Sequence, residues 1–123
     1  MQAILLVALG GAVGSVLRYE TGALVLRYSG PAAFPWGTFA VNVLGCAIAG
    51  LLAGLGERHA FLSAEMRLLL FTGFLGGFTT FSAFGVETIA LIERGEWAVS
   101  SLYVGASVVG GLAALWLALK AAG

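Results

Sequence analysis

Charge is what this chain has least of. Asp, Glu, Lys and Arg make up 10% of its 123 residues, against ~25% in an ordinary soluble domain. A surface bathed on all sides by water is therefore excluded, and a mean hydropathy of +1.02 makes lipid the bulk solvent for most of the chain. Six basic and six acidic residues cancel, and no basic cluster is present that could grip nucleic acid. The single cysteine, Cys46, excludes an intrachain disulfide and has no companion ligands for zinc. There is no GxxxxGK[ST] stretch for a nucleoside triphosphate and only one histidine. Nothing here reads as an enzyme.

What is present is apolar and punctuated. Uncharged stretches run over residues 2–17, 34–56, 68–86 and 97–119. Crossing a ~30 Å hydrocarbon core takes ~20 residues of helix. The last three stretches suffice as they stand, and the first does if it continues through Arg18 and Glu20 to about Leu26. Arg18 is the first charge, so the basic n-region of a cleaved signal is missing. The sequence thus predicts an all-α membrane protein, a single domain over 1–123 with four transmembrane helices. Short connectors at 27–35, 57–67 and 93–96 join them.

The few charges also bear on orientation. With four spans, Arg58, Arg67 and Lys120 share one side; Arg27 and Arg94 share the other, with Arg18 if it reaches that way. Orientation is set by a Lys/Arg excess on one side, and here the excess nearly vanishes. The chain is expected to insert both ways, so that two oppositely oriented copies pair antiparallel about a two-fold axis in the membrane plane.

Each span carries polar or small residues in register. Gly10, Gly14, Arg18 and Gly22 recur every four residues, a spacing that lets helices approach closely in lipid. Arg18 has two readings, a local pair with Glu20 at the interface or a place in an aqueous vestibule that draws anions inward. Thr38, Asn42, Cys46 and Gly50 follow at the same spacing in the second span. Asn42 needs partners at that depth, either another helix or a passing polar solute; Cys46 is most simply a small packing residue.

The third span contains GGFTTFSAF, residues 76–84. Gly76 and Gly77 loosen a helix, while Thr79, Thr80 and Ser82 can bond freed backbone groups. Unwound backbone at bilayer depth survives only inside protein or against a water-filled cavity, where its carbonyls can hold a cation. Phe81 and Phe84 lie three apart, on one face; they are either packing bulk or ring edges that greet an anion. Glu87 falls just beyond. In the fourth span Tyr103, Ser107 and Gly111 form a line with Gly110 beside it, either a packing face or a hydroxyl track.

Taken together, GGAVGSVLRY, GTFAVNVLGC and GGFTTFSAF resemble the Fluc/CrcB family of fluoride channels over essentially the whole chain. The resemblance implies an antiparallel, dual-topology homodimer in a prokaryotic inner (plasma) membrane, with two fluoride pores and a central structural Na⁺. It implies passive fluoride export that protects the cell from fluoride toxicity. It assigns Gly76 and Thr79 as backbone-carbonyl ligands of Na⁺, and Asn42, Phe81 and Phe84 to the pore. Thr38, Thr80 and Ser107 fall at polar positions near the path, Tyr103 and Glu87 near its outer parts, and Arg18 at the vestibular arginine. Gly111 and Ala83 depart from the family pattern, where hydroxyls are common.

Two other classes compete. A small dual-topology multidrug antiporter also has four spans, but proton-coupled export needs a membrane-embedded carboxylate. Only Glu20 lies in the first span, and no acid lies between residues 68 and 86. A purely structural subunit would explain the glycines but not a broken helix.

Overall fold

The computed structural model describes residues 1–123. Four helical segments are long and apolar enough to cross a membrane, and they follow the expected order. Helix α1 (Gln2–Ser29) and helix α2 (Trp36–His59) are continuous. The third span, Ala64–Glu93, is broken into α3 (residues 64–78) and α4 (Phe81–Glu93). Helix α5 (Trp97–Ala122) completes the chain.

Apolar residues lie all round α1 and α5: Leu9, Val13, Val16, Leu112, Trp116 and Leu117 are all exposed. Helices of that kind are not amphipathic elements on a wet core but elements solvated by lipid or by other spans. The buried set is accordingly small, with Val41, Leu75, Phe78, Leu91 and Tyr103 at its centre.

Two close helix pairs hold the chain together, and both rest on missing side chains. At Gly10 an added Cβ would strike the Leu69 carbonyl oxygen, and at Gly14 that of Phe74. At Gly77 it would meet Gly11 O at 2.5 Å. So α1 and α3 touch backbone to backbone, the geometry that small residues every four positions permit. On the other side α2 lies parallel to α5 with Gly50 against the Leu115 backbone and Gly54 against that of Leu119. Gly22, by contrast, has nothing within 4 Å of an added Cβ; the four-residue line ends before it.

The spans end slightly beyond the charged residues. Helix α1 runs through Arg27 and stops at Gly30, whose φ of 65° and N–H bond to Leu26 O suit only a residue without a Cβ. Helix α2 carries Glu57, Arg58 and His59 before Ala60 turns left-handed. The connectors are correspondingly shorter than 27–35 and 57–67.

The third span is broken within residues 76–84, as expected, but not at its glycines. Gly76 and Gly77 do not break it: both are helical, and the extended residues are Thr79 and Thr80. The physical reason is that Gly77 is wanted for contact with α1, while the break is held open from outside, by side chains of α1 and α2. Nor did residue pattern announce that α3 winds as a π-helix over Leu68–Leu75, where Gly76 N–H reaches back five residues to Phe71 O.

Candidate functional site

A helix that stops mid-membrane leaves carbonyls at the end of one half and amides at the start of the next. Three side chains answer several of these. Thr80 caps α4 by its own hydroxyl, which accepts from Ala83 N–H at 3.1 Å. Asn42 of α2 takes both backbone groups of Thr80: Oδ1 accepts from Thr80 N–H at 2.8 Å, and Nδ2 donates to Thr80 O at 3.0 Å. Arg18 of α1 donates its Nε–H to Gly77 O at 2.9 Å. A guanidinium at the C-terminal end of α3 also meets the negative end of that half-helix dipole. Of the two readings of Arg18, the bond runs across the interface rather than to Glu20, and the side chain also borders a cavity.

The Gly76 carbonyl loses its helical donor. A continuous helix would give Gly76 O the Thr80 N–H, which here belongs to Asn42. Gly76 is exposed. Thr79 turns its hydroxyl back onto Leu75 O at 2.8 Å, and its methyl fills the notch left by Gly45. Thr79 is extended, so its own carbonyl is outside both helical ladders.

Two cavities meet at the break. The larger, about 670 Å³, is bordered by Arg18, Thr38, Thr80, Ala83 and Glu87 among others. The smaller, about 290 Å³, is lined by Asn42, Cys46, Thr79, Thr80, Phe81, Phe84, Ser107 and Val108. Thr80 borders both. Phe81 is 84% exposed, and its ring centroid lies 5.7 Å from that of Phe84, so the two rings do share a face. Asn42 keeps one amide hydrogen after serving Thr80. The Ser107 hydroxyl is buried with no partner at all, so a donor is left over on this wall.

At the outer end, Glu87 gathers two hydroxyls. Tyr103 donates to Oε1 and Thr38 to Oε2, each at 3.0 Å. The Tyr103 ring is fully buried, between Phe84 at 5.0 Å and Phe34 at 5.4 Å. The donors of Thr38 and Tyr103 are thus engaged by a carboxyl group and separate from the smaller cavity. Of the expected site residues, Thr38 and Asn42 lie on α2, Phe81, Phe84 and Glu87 on α4, and Tyr103 and Ser107 on α5; Thr79 and Thr80 form the break, and Arg18 and Gly76 border it from α1 and α3. Phe34 was not foreseen, because it sits in a connector; Cys46 was placed as packing only.

The model of the family described as CrcB-like protein, Camphor Resistance (CrcB), matches residues 5–119. A fluoride-specific ion channel FluC of Methylobacillus flagellatus is 50% identical over 98% of this chain and 94% of its own length. A protein of the same name from Rhizobium etli is 57% identical over 94% of this chain and 91% of its own. A third, from Nitratidesulfovibrio vulgaris, is 48% identical over 97% and 95%.

Proposed function

Because this chain belongs to the CrcB family, we propose that it is a fluoride-selective channel through which fluoride leaves a prokaryotic cell passively, protecting it from fluoride toxicity. The observation that carries the reading is the smaller cavity. Its wall offers uncommitted donors, the second Asn42 amide hydrogen and the orphaned Ser107 hydroxyl, beside the rings of Phe81 and Phe84. Fluoride is small and strongly hydrated, so a path for it must replace water's donors without holding the ion. Neutral donors and electropositive ring edges do this; a fixed cation in the cavity would trap the ion. Arg18, at the larger cavity, supplies attraction from outside the narrow part. Thr80, bordering both cavities, is where the ion passes from one to the other.

The working unit of this proposal is an antiparallel homodimer in the inner membrane, inserted in both orientations. Support comes from the surface at the break: Gly76, Phe81 and Ser82 are all exposed there. Polar backbone and hydroxyls cannot face hydrocarbon, so a second copy covers them. The carbonyls of Gly76 and Thr79 fit a structural Na⁺, because Gly76 O has lost its usual donor and Thr79 O lies outside the ladders. Bound there, the ion would answer carbonyls at the break that the Arg18 guanidinium, engaged on Gly77 O, does not reach.

Fluoride release from proteoliposomes, read with a fluoride electrode, tests the activity. Selective release with chloride retained is the expected result; no release, with proton-coupled export of an organic cation instead, overturns it. Labelling of an added terminal cysteine in a Cys46→Ser background, from outside the cell, should reach about half of the chains if both orientations insert.

A further inference from the structure

Helices α2 and α5 run parallel, and their facing residues keep step, four positions apart on each. Thr38 and Tyr103 converge on Glu87. One turn on, Asn42 and Ser107 line the smaller cavity together. One turn further, Cys46 faces Gly111: a Cβ at Gly111 would lie 3.2 Å from Cys46 Sγ. The next two turns, Gly50 on Leu115 and Gly54 on Leu119, are closed backbone contacts with no room for a solute. The polar rungs therefore end at Cys46, not at Ser107.

Cys46 differs from an ordinary packing cysteine in its company. It lines the same cavity as Asn42, Phe81, Phe84 and Ser107, and it is not fully buried. The Ser107 hydroxyl, one turn before Gly111, is buried without a partner, which independently marks this wall as built for something that accepts a hydrogen bond. Gly111 contributes no side chain, and the thiol occupies the space beside it. A thiol is a weak donor, which suits a site that must release an anion.

Resting on the fluoride-channel reading above, we propose that the Cys46 thiol is the innermost donor on the fluoride path, standing in from α2 for the side chain that α5 lacks at Gly111. It follows that conduction in this protein is open to thiol chemistry. Methyl methanethiosulfonate is small and neutral enough to enter. The Cys46 sulfur attacks its sulfenyl sulfur; the new S–S bond forms as the S–SO₂ bond breaks. Methanesulfinate leaves with the electron pair, and the thiol proton passes to buffer. The added methylthio group fills the cavity at its inner end.

The experiment uses the full chain in proteoliposomes, with fluoride release and intact mass measured before and after the reagent. Cys46 is the only cysteine, so every added methylthio group reports this site. The expected result is one group per chain and loss of fluoride release, both reversed by dithiothreitol. Cys46→Ser should take up no methylthio group, and its fluoride release, whatever its starting rate, should be the same before and after the reagent. Cys46→Gly should conduct about tenfold less, as one lost hydrogen-bond donor implies, and Gly111→Ser added to it should restore conduction. A thiol that reacts only after denaturation, or that reacts while fluoride release is unchanged, overturns the proposal. If the untreated protein releases no fluoride, the channel reading falls and this proposal falls with it; release that is indifferent to Cys46 sinks this proposal alone.

Discussion

Asn42 and Thr80 are joined by two hydrogen bonds, at 2.8 and 3.0 Å, in which one side chain replaces both helical partners of a single residue. Asn42→Asp keeps an acceptor for Thr80 N–H but turns the donor facing Thr80 O into a second acceptor. Two oxygens would then confront each other, and a negative charge would stand in the proposed fluoride path. Fluoride release should fall at least about tenfold and the melting free energy by ~1–3 kcal/mol. Normal release from Asn42→Asp would remove this residue from the pore.

The two phenylalanines should separate function from stability. Phe81 is 84% exposed in the single chain, so Phe81→Ile removes a ring edge and almost no intrachain packing. Electrode traces should show reduced fluoride release, with the proposed dimer unaffected as judged by size-exclusion chromatography. Phe84→Ile should also reduce release, and because Phe84 supports Tyr103 at 5.0 Å it should lower the melting temperature as well. Full activity in both variants would count against the pore assignment.

Glu87 is shared by Tyr103 and Thr38, so the energies of those two residues should not add. Tyr103→Phe and Thr38→Val each leave one carboxyl oxygen without its donor. A double-mutant cycle on thermal unfolding in detergent should give a coupling of ~0.5–3 kcal/mol. Strict additivity would mean that Glu87 finds other partners when either is lost. Phe34→Leu should leave the cycle intact, and Phe34→Ala should loosen it by unpacking the buried tyrosine.

Glycines on α1 differ sharply in what they carry. Gly14→Ala would drive a methyl into the Phe74 carbonyl oxygen and to 2.9 Å from Phe78 N, all of it backbone that cannot step aside. A loss of ~1–3 kcal/mol, the usual weight of overpacking, is expected in the melt. Gly22→Ala, with open space around it, should be neutral. Equal behaviour of the two would refute the close packing of α1 on α3.

How far residues alone reached can be seen at the break itself. Span number and order were legible because charges are rare and hydrocarbon thickness sets helix length. Polar and small residues at four-residue spacing marked the faces on which α2 and α5 meet. The break lies within the expected stretch 76–84, but at Thr79 and Thr80 rather than at the glycines thought to loosen it, for a physical reason. Glycine propensity describes an isolated helix, whereas here tertiary partners decide: α1 needs Gly77 for contact, and Asn42 withdraws Thr80 from the helix. Arg18 was ambiguous for the same reason, since its acceptor lies 59 residues away in sequence. The π winding of Leu68–Leu75 has no signature in residue type.

Both outside partners of the broken span, Arg18 and Asn42, precede it in the chain. A polypeptide synthesised from its N-terminus delivers α1 and α2 to the bilayer first, so the unsatisfied amides and carbonyls of the third span arrive where their partners already wait. The native order of segments is thereby an insertion programme as well as a connectivity. A circular permutant beginning between α2 and α3 would reverse it, committing the break to lipid before either partner exists.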